Sequence, residues 1–315
     1  MSRLRRHLLF SRSRLVRWGL LLLWTALLTV LGILGIGIEI SRRYAHALSH
    51  PGCSGPHRSP LDVGILGYQE VTFTPPGNAD TVRYKAWWLP SENGAAVILI
   101  PGLGHSRDGM LDQGAMLARH GYGVLLIDPR YCASPDAVFT AGYNEVQDVA
   151  GALAFAQAQP DVRSDRVGVL GYSVGGATAI LSAAQLDGVQ AVVSEGNFFN
   201  LGHDIANTGG DNSLLAEFYY RVILLFYRFY TGVDARLISP IDAIGRISPR
   251  PVFLIFGEHE VASGRAHEQF VAAGEPKSLW VVPGVGHGGY IQTWPGEYEA
   301  RVISFFDEAL LHPQP

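Results

Sequence analysis

Cysteine is almost missing from this chain: 315 residues carry only Cys53 and Cys132. That scarcity excludes a small fold stapled by several disulfides. Neither thiol has a second Cys nearby, so the paired-cysteine spacing of a structural zinc site is missing. In an oxidising compartment the two permit one disulfide without requiring it. Charge is also thin. Only 17% of residues are charged and the formal net charge is −4, which supplies no basic field for a nucleic-acid partner. Internal repeats are absent, and the one low-complexity stretch is a leucine-rich run near the N-terminus. Gly102-Leu103-Gly104 lacks the lysine and following Ser/Thr of a phosphate-binding loop. What the chain does have is apolar material, 48% of residues, at a length that accommodates one large domain plus an appendage.

The appendage reads as a membrane anchor. Arg3, Arg5, Arg6, Arg12, Arg14 and Arg17 precede an uncharged block of 21 residues, Trp18 to Ile38. A helix of that length crosses a hydrocarbon core, and the arginine excess holds the N-terminus in the cytoplasm. The expected organisation is a basic cytoplasmic segment (1–17), a transmembrane helix (18–40), a turn-rich linker (41–66) and an extracytoplasmic domain (67–315). A cleaved signal peptide is the alternative, with Ala45-His46-Ala47 as its cleavage site.

Along the domain, Glu70–Thr74 and Arg83–Leu89 alternate apolar and polar residues around Pro75-Pro76-Gly77-Asn78, which predicts an antiparallel hairpin. Continuous apolar runs follow at 95–100, 124–127, 190–193, 251–256 and 278–282. Helical patterns over 108–120, 145–157, 263–273 and 295–311 separate most of them. This alternation predicts an α/β fold with a mostly parallel sheet and functional loops at the strands' C-terminal ends. Residues 198–236 break the rhythm with an aromatic-rich helical stretch, expected to be a cap over the domain.

Between two such elements stands Val167-Gly168-Val169-Leu170-Gly171-Tyr172-Ser173-Val174-Gly175-Gly176. An apolar strand, a turn with small flanking residues and a helix make a nucleophile elbow with Ser173 at its tip. A serine hydroxyl needs a base, and the base needs an orienting carboxylate. His287, in a loop with four glycines after the last strand, is the candidate base. Glu260, after the 251–256 strand, is the candidate acid, with Glu258 as the alternative. Backbone N–H groups of Leu103 and Val174 are the candidate oxyanion donors. Tyr172, Phe198 and Phe199 are candidate pocket residues, and His105 and His203 stand near the expected pocket mouth. Asp128, Arg130 and Asp148 read as a structural ion-pair group.

From about Gly67 to Leu311 the chain resembles the α/β-hydrolase superfamily, and within it the anchored, serine-aminopeptidase-like and esterase-like hydrolases of the Bem46 kind. The stretches that carry the likeness are 98–104, 171–176, 251–260 and 282–287. The resemblance implies a Ser173–Glu260–His287 triad, acyl-enzyme chemistry, no cofactor and no metal. The expected activity is cleavage of carboxylic esters, with an apolar acyl or lipid-like substrate and the membrane as the chain's other partner. A peptidase, amidase or thioesterase of the same fold, or a binding protein without turnover, are the alternatives.

Overall fold

Strands that are apolar at every position are stable only where both faces are covered, in the middle of a sheet. The computed structural model, which describes residues 2–76, 83–134, 136–207 and 213–312, puts them there. For residues 2–15 it describes the backbone alone. A long helix, α1 (Ser2–Ser49), leads to the hairpin strands β1 (Gln69–Phe73) and β2 (Tyr84–Leu89). These pair antiparallel, Glu70 opposite Trp87 and Thr72 opposite Lys85. Gly77 and Asn78 of the expected turn lie outside the described residues.

Next come β3 (Ala96–Ile100), α2 (Leu111–Arg119), β4 (Gly123–Ile127), the single turn α3 (Arg130–Ala133) and α4 (Glu145–Gln157). The elbow follows as β5 (Val167–Tyr172) and α5 (Val174–Ala183), then β6 (Ala191–Glu195). The segment expected to form a cap folds as two helices, α6 (Leu201–Asn207) and α7 (Leu214–Thr231), and a short α8 (Pro240–Ala243) returns the chain to the sheet. The domain finishes with β7 (Val252–Gly257), α9 (Ala266–Ala272), β8 (Lys277–Val282), α10 (Tyr290–Thr293) and α11 (Pro295–Phe306).

The eight strands form one sheet in the order β1-β2-β4-β3-β5-β6-β7-β8. From β4 to β8 every neighbour pair is parallel, and only the β1–β2 and β2–β4 pairs are antiparallel. The two-residue period of a strand splits its side chains between two cores. Ile98 and Val169 pack on the face covered by Val146 and Val149 of α4 and by Ile180 of α5. Leu99 and Leu170 pack on the opposite face, against Met116 of α2 and Val302 and Phe306 of α11. Ile98 and Leu99 are both fully buried, so truncating either to Ala costs about 2–5 kcal/mol. This rigid layer carries the loops after β3, β5, β6, β7 and β8 at one edge.

Helix α1 has two characters. From Val16 to Ile40 its large apolar side chains are mostly exposed, Leu22 and Leu23 by 69% and 65%. Val16–Ser49 is long and apolar enough to cross a membrane, by length and composition. Its last turns are different: Ser41, Ala45 and Ser49 are buried against the domain. Cys53 and Cys132 form a disulfide that ties the chain just past α1 to α3.

The charged group expected near the sheet edge divides into two sets. Arg130 pairs with Asp148 and Glu145, whereas Asp128 pairs with Arg107. Burial pushes the Asp148 carboxyl up to about 6, although Arg130 pulls it the other way.

Candidate active site

The turn between β5 and α5 is tight enough to dictate its sequence. A Cβ on Gly175 would fall 2.1 Å from the Ile100 carbonyl oxygen, and one on Gly171 2.1 Å from that of Gly175. Ser173 itself is held at φ 55° and ψ −120°, a conformation that L-residues rarely adopt. Its N–H donates to the Glu195 carbonyl at 2.7 Å, which pins the turn to the end of β6.

The loops after β7 and β8 are stitched together beside this turn. His259 N–H donates to the Val285 carbonyl at 3.1 Å, and a Cβ on Gly257 would collide with the Gly286 carbonyl. This brings three side chains into a line. Ser173 Oγ lies 2.9 Å from His287 Nε2, and His287 Nδ1 lies 2.6 Å from Glu260 Oε2. The other carboxylate oxygen, Oε1, accepts the Gly257 N–H at 2.8 Å and the Tyr290 hydroxyl. With Oε1 occupied by two donors, Oε2 is the atom left for the imidazole. An Nδ1–H bound to that carboxylate leaves the Nε2 lone pair to accept the Ser173 proton. Glu260 is 8% exposed, so its charge is poorly screened beside the ring.

Glu258 takes no part in this line. It is exposed, and its carboxylate accepts the Gly284 N–H at 2.8 Å. Tyr172 stacks on the His287 ring with centroids 5.2 Å apart, and its hydroxyl donates to the His287 carbonyl at 3.3 Å. Burial, then the Glu260 and Glu195 charges, hold that phenol above its ordinary range. Tyr172 is thus packed behind the imidazole and is not among the residues lining the cavity.

The loop carrying Leu103 runs against the elbow, since a Cβ on Gly102 would sit 3.4 Å from Ser173 Cβ. Tyr131, to which no motif gives a role, clamps this loop from beneath. Its hydroxyl accepts the Gly104 N–H at 3.0 Å, and its one proton is shared between the Gly102 and His105 carbonyls at 3.2 and 3.0 Å. Val174, the first residue of α5, presents a helix-terminal N–H at the same spot. Leu103 and Val174 both line the cavity that opens on Ser173.

That cavity has a volume of about 690 Å³ and its wall is largely apolar, with Leu48, Phe139, Phe198, Leu201 and Tyr227 around Ser173 and His287. Of the two phenylalanines expected in the pocket, Phe198 lines it and Phe199 does not, because Arg265 stands over the Phe199 ring at 4.0 Å. His203 is at the wall and His105 is not. Leu48 belongs to α1 and Tyr227 to α7, and no local string marks either. Tyr227 is fully buried, and its hydroxyl has no hydrogen-bond partner among the described residues.

Beneath the elbow lies a second buried acid. Glu195 is 0% exposed, with the Tyr298 hydroxyl and Gln113 Nε2 donating to its carboxylate. Burial pushes it up to about 7, against the pull of those two donors.

The sequence matches the family described as X-Pro dipeptidyl-peptidase (S15 family) over residues 65–224, just over half of the 315. It is similar to the uncharacterized protein YfhR of Escherichia coli (strain K12), 25% identical over 260 residues that span 78% of this chain and 82% of that one. The fold is similar to that of the Pyrococcus furiosus esterase PF2001, with a TM-score of 0.64 and 22% identity over 84% of this chain and 98% of that one. It is also similar to the Pyrococcus horikoshii acylaminoacyl peptidase, with a TM-score of 0.58 and 17% identity over 79% of this chain and 42% of that one.

Proposed function

This chain belongs to the X-Pro dipeptidyl-peptidase (S15) family, a hydrolase family of the α/β fold, and from that premise we propose a membrane-anchored serine hydrolase of carboxylic esters. The observation that carries the proposal is the hydrogen-bonded line Ser173–His287–Glu260 at the mouth of a mostly apolar cavity. In this reading Ser173 Oγ attacks the ester carbonyl as His287 Nε2 takes its proton. The carbonyl oxygen, now negative, meets the N–H groups of Val174 and Leu103, each worth about 3 kcal/mol of barrier. His287 returns the proton to the leaving alcohol, which departs and leaves an acyl-Ser173. Water activated by the same imidazole then releases the acid. Glu260 orients the ring and stabilises its charged form.

An ester is favoured over a peptide by the cavity wall. Leu48, Phe139, Phe198 and Leu201 offer an acyl chain apolar surface. A peptidase remains the second reading because the family bears a peptidase's name and the fold occurs in an acylaminoacyl peptidase. Two readouts on the solubilised full chain separate the possibilities. Fluorophosphonate labelling that Ser173→Ala abolishes supports the nucleophile, and no labelling of the wild type removes it. Turnover of nitrophenyl esters from acetyl to dodecanoyl, with none of Xaa-Pro anilides, supports the esterase. The opposite pattern replaces it with the peptidase.

Retention of α1 is part of the proposal. Cleavage after Ala47 would remove Ala45, which is fully buried, and the Arg42 guanidinium that donates to the Tyr230 hydroxyl at 3.1 Å. The domain would lose a packed surface, which argues for an uncleaved anchor.

A further inference from the structure

The cap helix α7 does not lie over the domain alone. It runs beside α1, and the contacts fix its direction. The Tyr219 ring fills the groove at Gly37, where a Cβ would sit 2.1 Å from it, and its hydroxyl donates to the Ile33 carbonyl at 3.4 Å. Eleven residues further on, the Tyr230 hydroxyl accepts from Arg42, and its ring meets His46 and His50 edge-on at 5.3 and 6.0 Å. The two helices therefore run the same way, and the N-terminus of α7 points down α1 towards the apolar block.

Ile33 and Gly37 belong to that block, Trp18 to Ile38. Leu214 lies five residues before Tyr219, so at 1.5 Å per residue it reaches about 7 Å deeper than Gly37. At this end α7 leaves its apolar side chains uncovered: Leu214 is 90% exposed, Leu215 50% and Phe218 41%. Leu214, Phe218, Leu225 and Phe229 fall on one helical stripe, with Leu225 66% and Phe229 78% exposed. Glu217 and Arg221 pair with each other along its flank. An amphipathic helix held parallel to a membrane-crossing helix, with its bare apolar end at the level of the crossing segment, has one fitting neighbour.

We propose that α7 is a second membrane element: its first two turns enter the outer leaflet beside α1, and its stripe conducts amphiphilic esters from that leaflet to the cavity. The same two helices supply Leu48 and Tyr227 to the cavity wall, so the anchor is part of the substrate site and not only a tether. This inference rests on the anchored ester hydrolase proposed above and names its source of substrate, the lipid bilayer.

The full chain in phospholipid nanodiscs tests it. Benzoylphenylalanine placed at Leu214, Phe218 or, as a control outside α1 and α7, the 76% exposed Val271 of α9 is irradiated and its adducts are identified by mass spectrometry. Lipid adducts at 214 and 218 with none at 271 are expected. Absence of lipid adducts at 214 and 218, or adducts there to a second copy of the chain, overturns the proposal. The kinetic arm uses Phe218→Lys. Turnover of a long-chain ester embedded in vesicles should fall by about tenfold or more, while turnover of soluble nitrophenyl acetate stays within about twofold of wild type. An equal effect on both substrates overturns the conducting role. If the wild type hydrolyses neither ester, the ester-hydrolase reading fails, and the adducts still decide where α7 lies.

Discussion

Replacing Glu260 with glutamine changes one atom, and the surrounding hydrogen bonds decide the outcome. Oε1 accepts two donors, the Gly257 N–H and the buried Tyr290 hydroxyl. A glutamine at 260 keeps its carbonyl oxygen there, because turning the amide over would set its N–H groups against both donors. The amide nitrogen then faces His287 Nδ1, which must present a lone pair instead of a proton. The imidazole proton moves to Nε2, and the ring can no longer accept the proton of Ser173. The lost charge adds to the effect. Carboxylate and imidazolium at 2.6 Å attract by about 6 kcal/mol at an effective dielectric constant of about 20. His287 is half exposed, so solvent screening makes that figure an upper bound. At 1.36 kcal/mol per decade, kcat should fall about 10³- to 10⁴-fold, in line with loss of the acid in serine proteases. Two companions frame the result. Glu260→Asp is shorter by one bond of about 1.5 Å, so it loses either His287 or Gly257 and should fall between wild type and Glu260→Gln. Glu258→Gln keeps an amide oxygen to accept the Gly284 N–H, removes only a surface charge, and should stay within about twofold. Initial rates on a short-chain nitrophenyl ester, normalised by active-site titration and checked by thermal unfolding, measure all three. A Glu260→Gln enzyme within tenfold of wild type, or a Glu258→Gln enzyme that falls further, would refute the reasoning.

Three other substitutions probe the groups around the line. Tyr131→Phe frees the Leu103 loop from its clamp, removing bonds worth about 1–3 kcal/mol; kcat should drop about 10- to 100-fold with KM nearly unchanged, and a change in KM alone would show that Tyr131 does not position the oxyanion donors. Glu195 releases its proton near 4.5 when unfolded and near 7 when folded, so it costs the fold stability as pH rises through that window, by about 3 kcal/mol above it. Urea unfolding should therefore find Glu195→Gln gaining on wild type from about pH 4.5 to pH 7, and parallel curves would remove the assignment. Tyr227→Phe deletes a buried hydroxyl without a partner among the described residues and should raise stability by about 1 kcal/mol; a clear loss in Tm would mean the hydroxyl is satisfied.

The parts of this molecule that local sequence can convey are those built from contiguous residues. The elbow is one, because Gly171 and Gly175 are fixed by backbone contacts within their own turn and with β3. The parallel strands are another, since each is a single apolar run. Strand β6 extends two residues beyond its apolar run, because Ser194 and Glu195 are polar yet fully buried. The helix expected over 263–273 begins at Ala266, after a turn-rich loop that carries Glu260 to His287. The choice between Glu260 and Glu258 depends on Tyr290, thirty residues away, and no spacing rule reports such a partner. Tyr131, Tyr227 and Leu48 are illegible for the same reason. Their neighbours come from loops and helices distant in sequence, and a lone tyrosine or leucine carries no local signature. Phe199 and Tyr172 are adjacent to the right residues, but a neighbour in sequence points the other way when Arg265 or the His287 ring takes up its face.

The buried last turns of α1 and the bond between Cys53 and Cys132 leave no hinge between the apolar part of α1 and the domain. Ten residues of unbroken helix separate Ile38 from Leu48, a rise of about 15 Å, whereas each headgroup layer is only about 5–7 Å deep. In the anchored arrangement proposed above, the mouth of the Ser173 cavity is a fixed stand-off from the lipid surface, like a crane arm of set height. A two-tailed lipid would have to be hoisted almost clear of the bilayer to present its ester. A one-tailed amphiphile, which desorbs far more readily, meets that height with little effort.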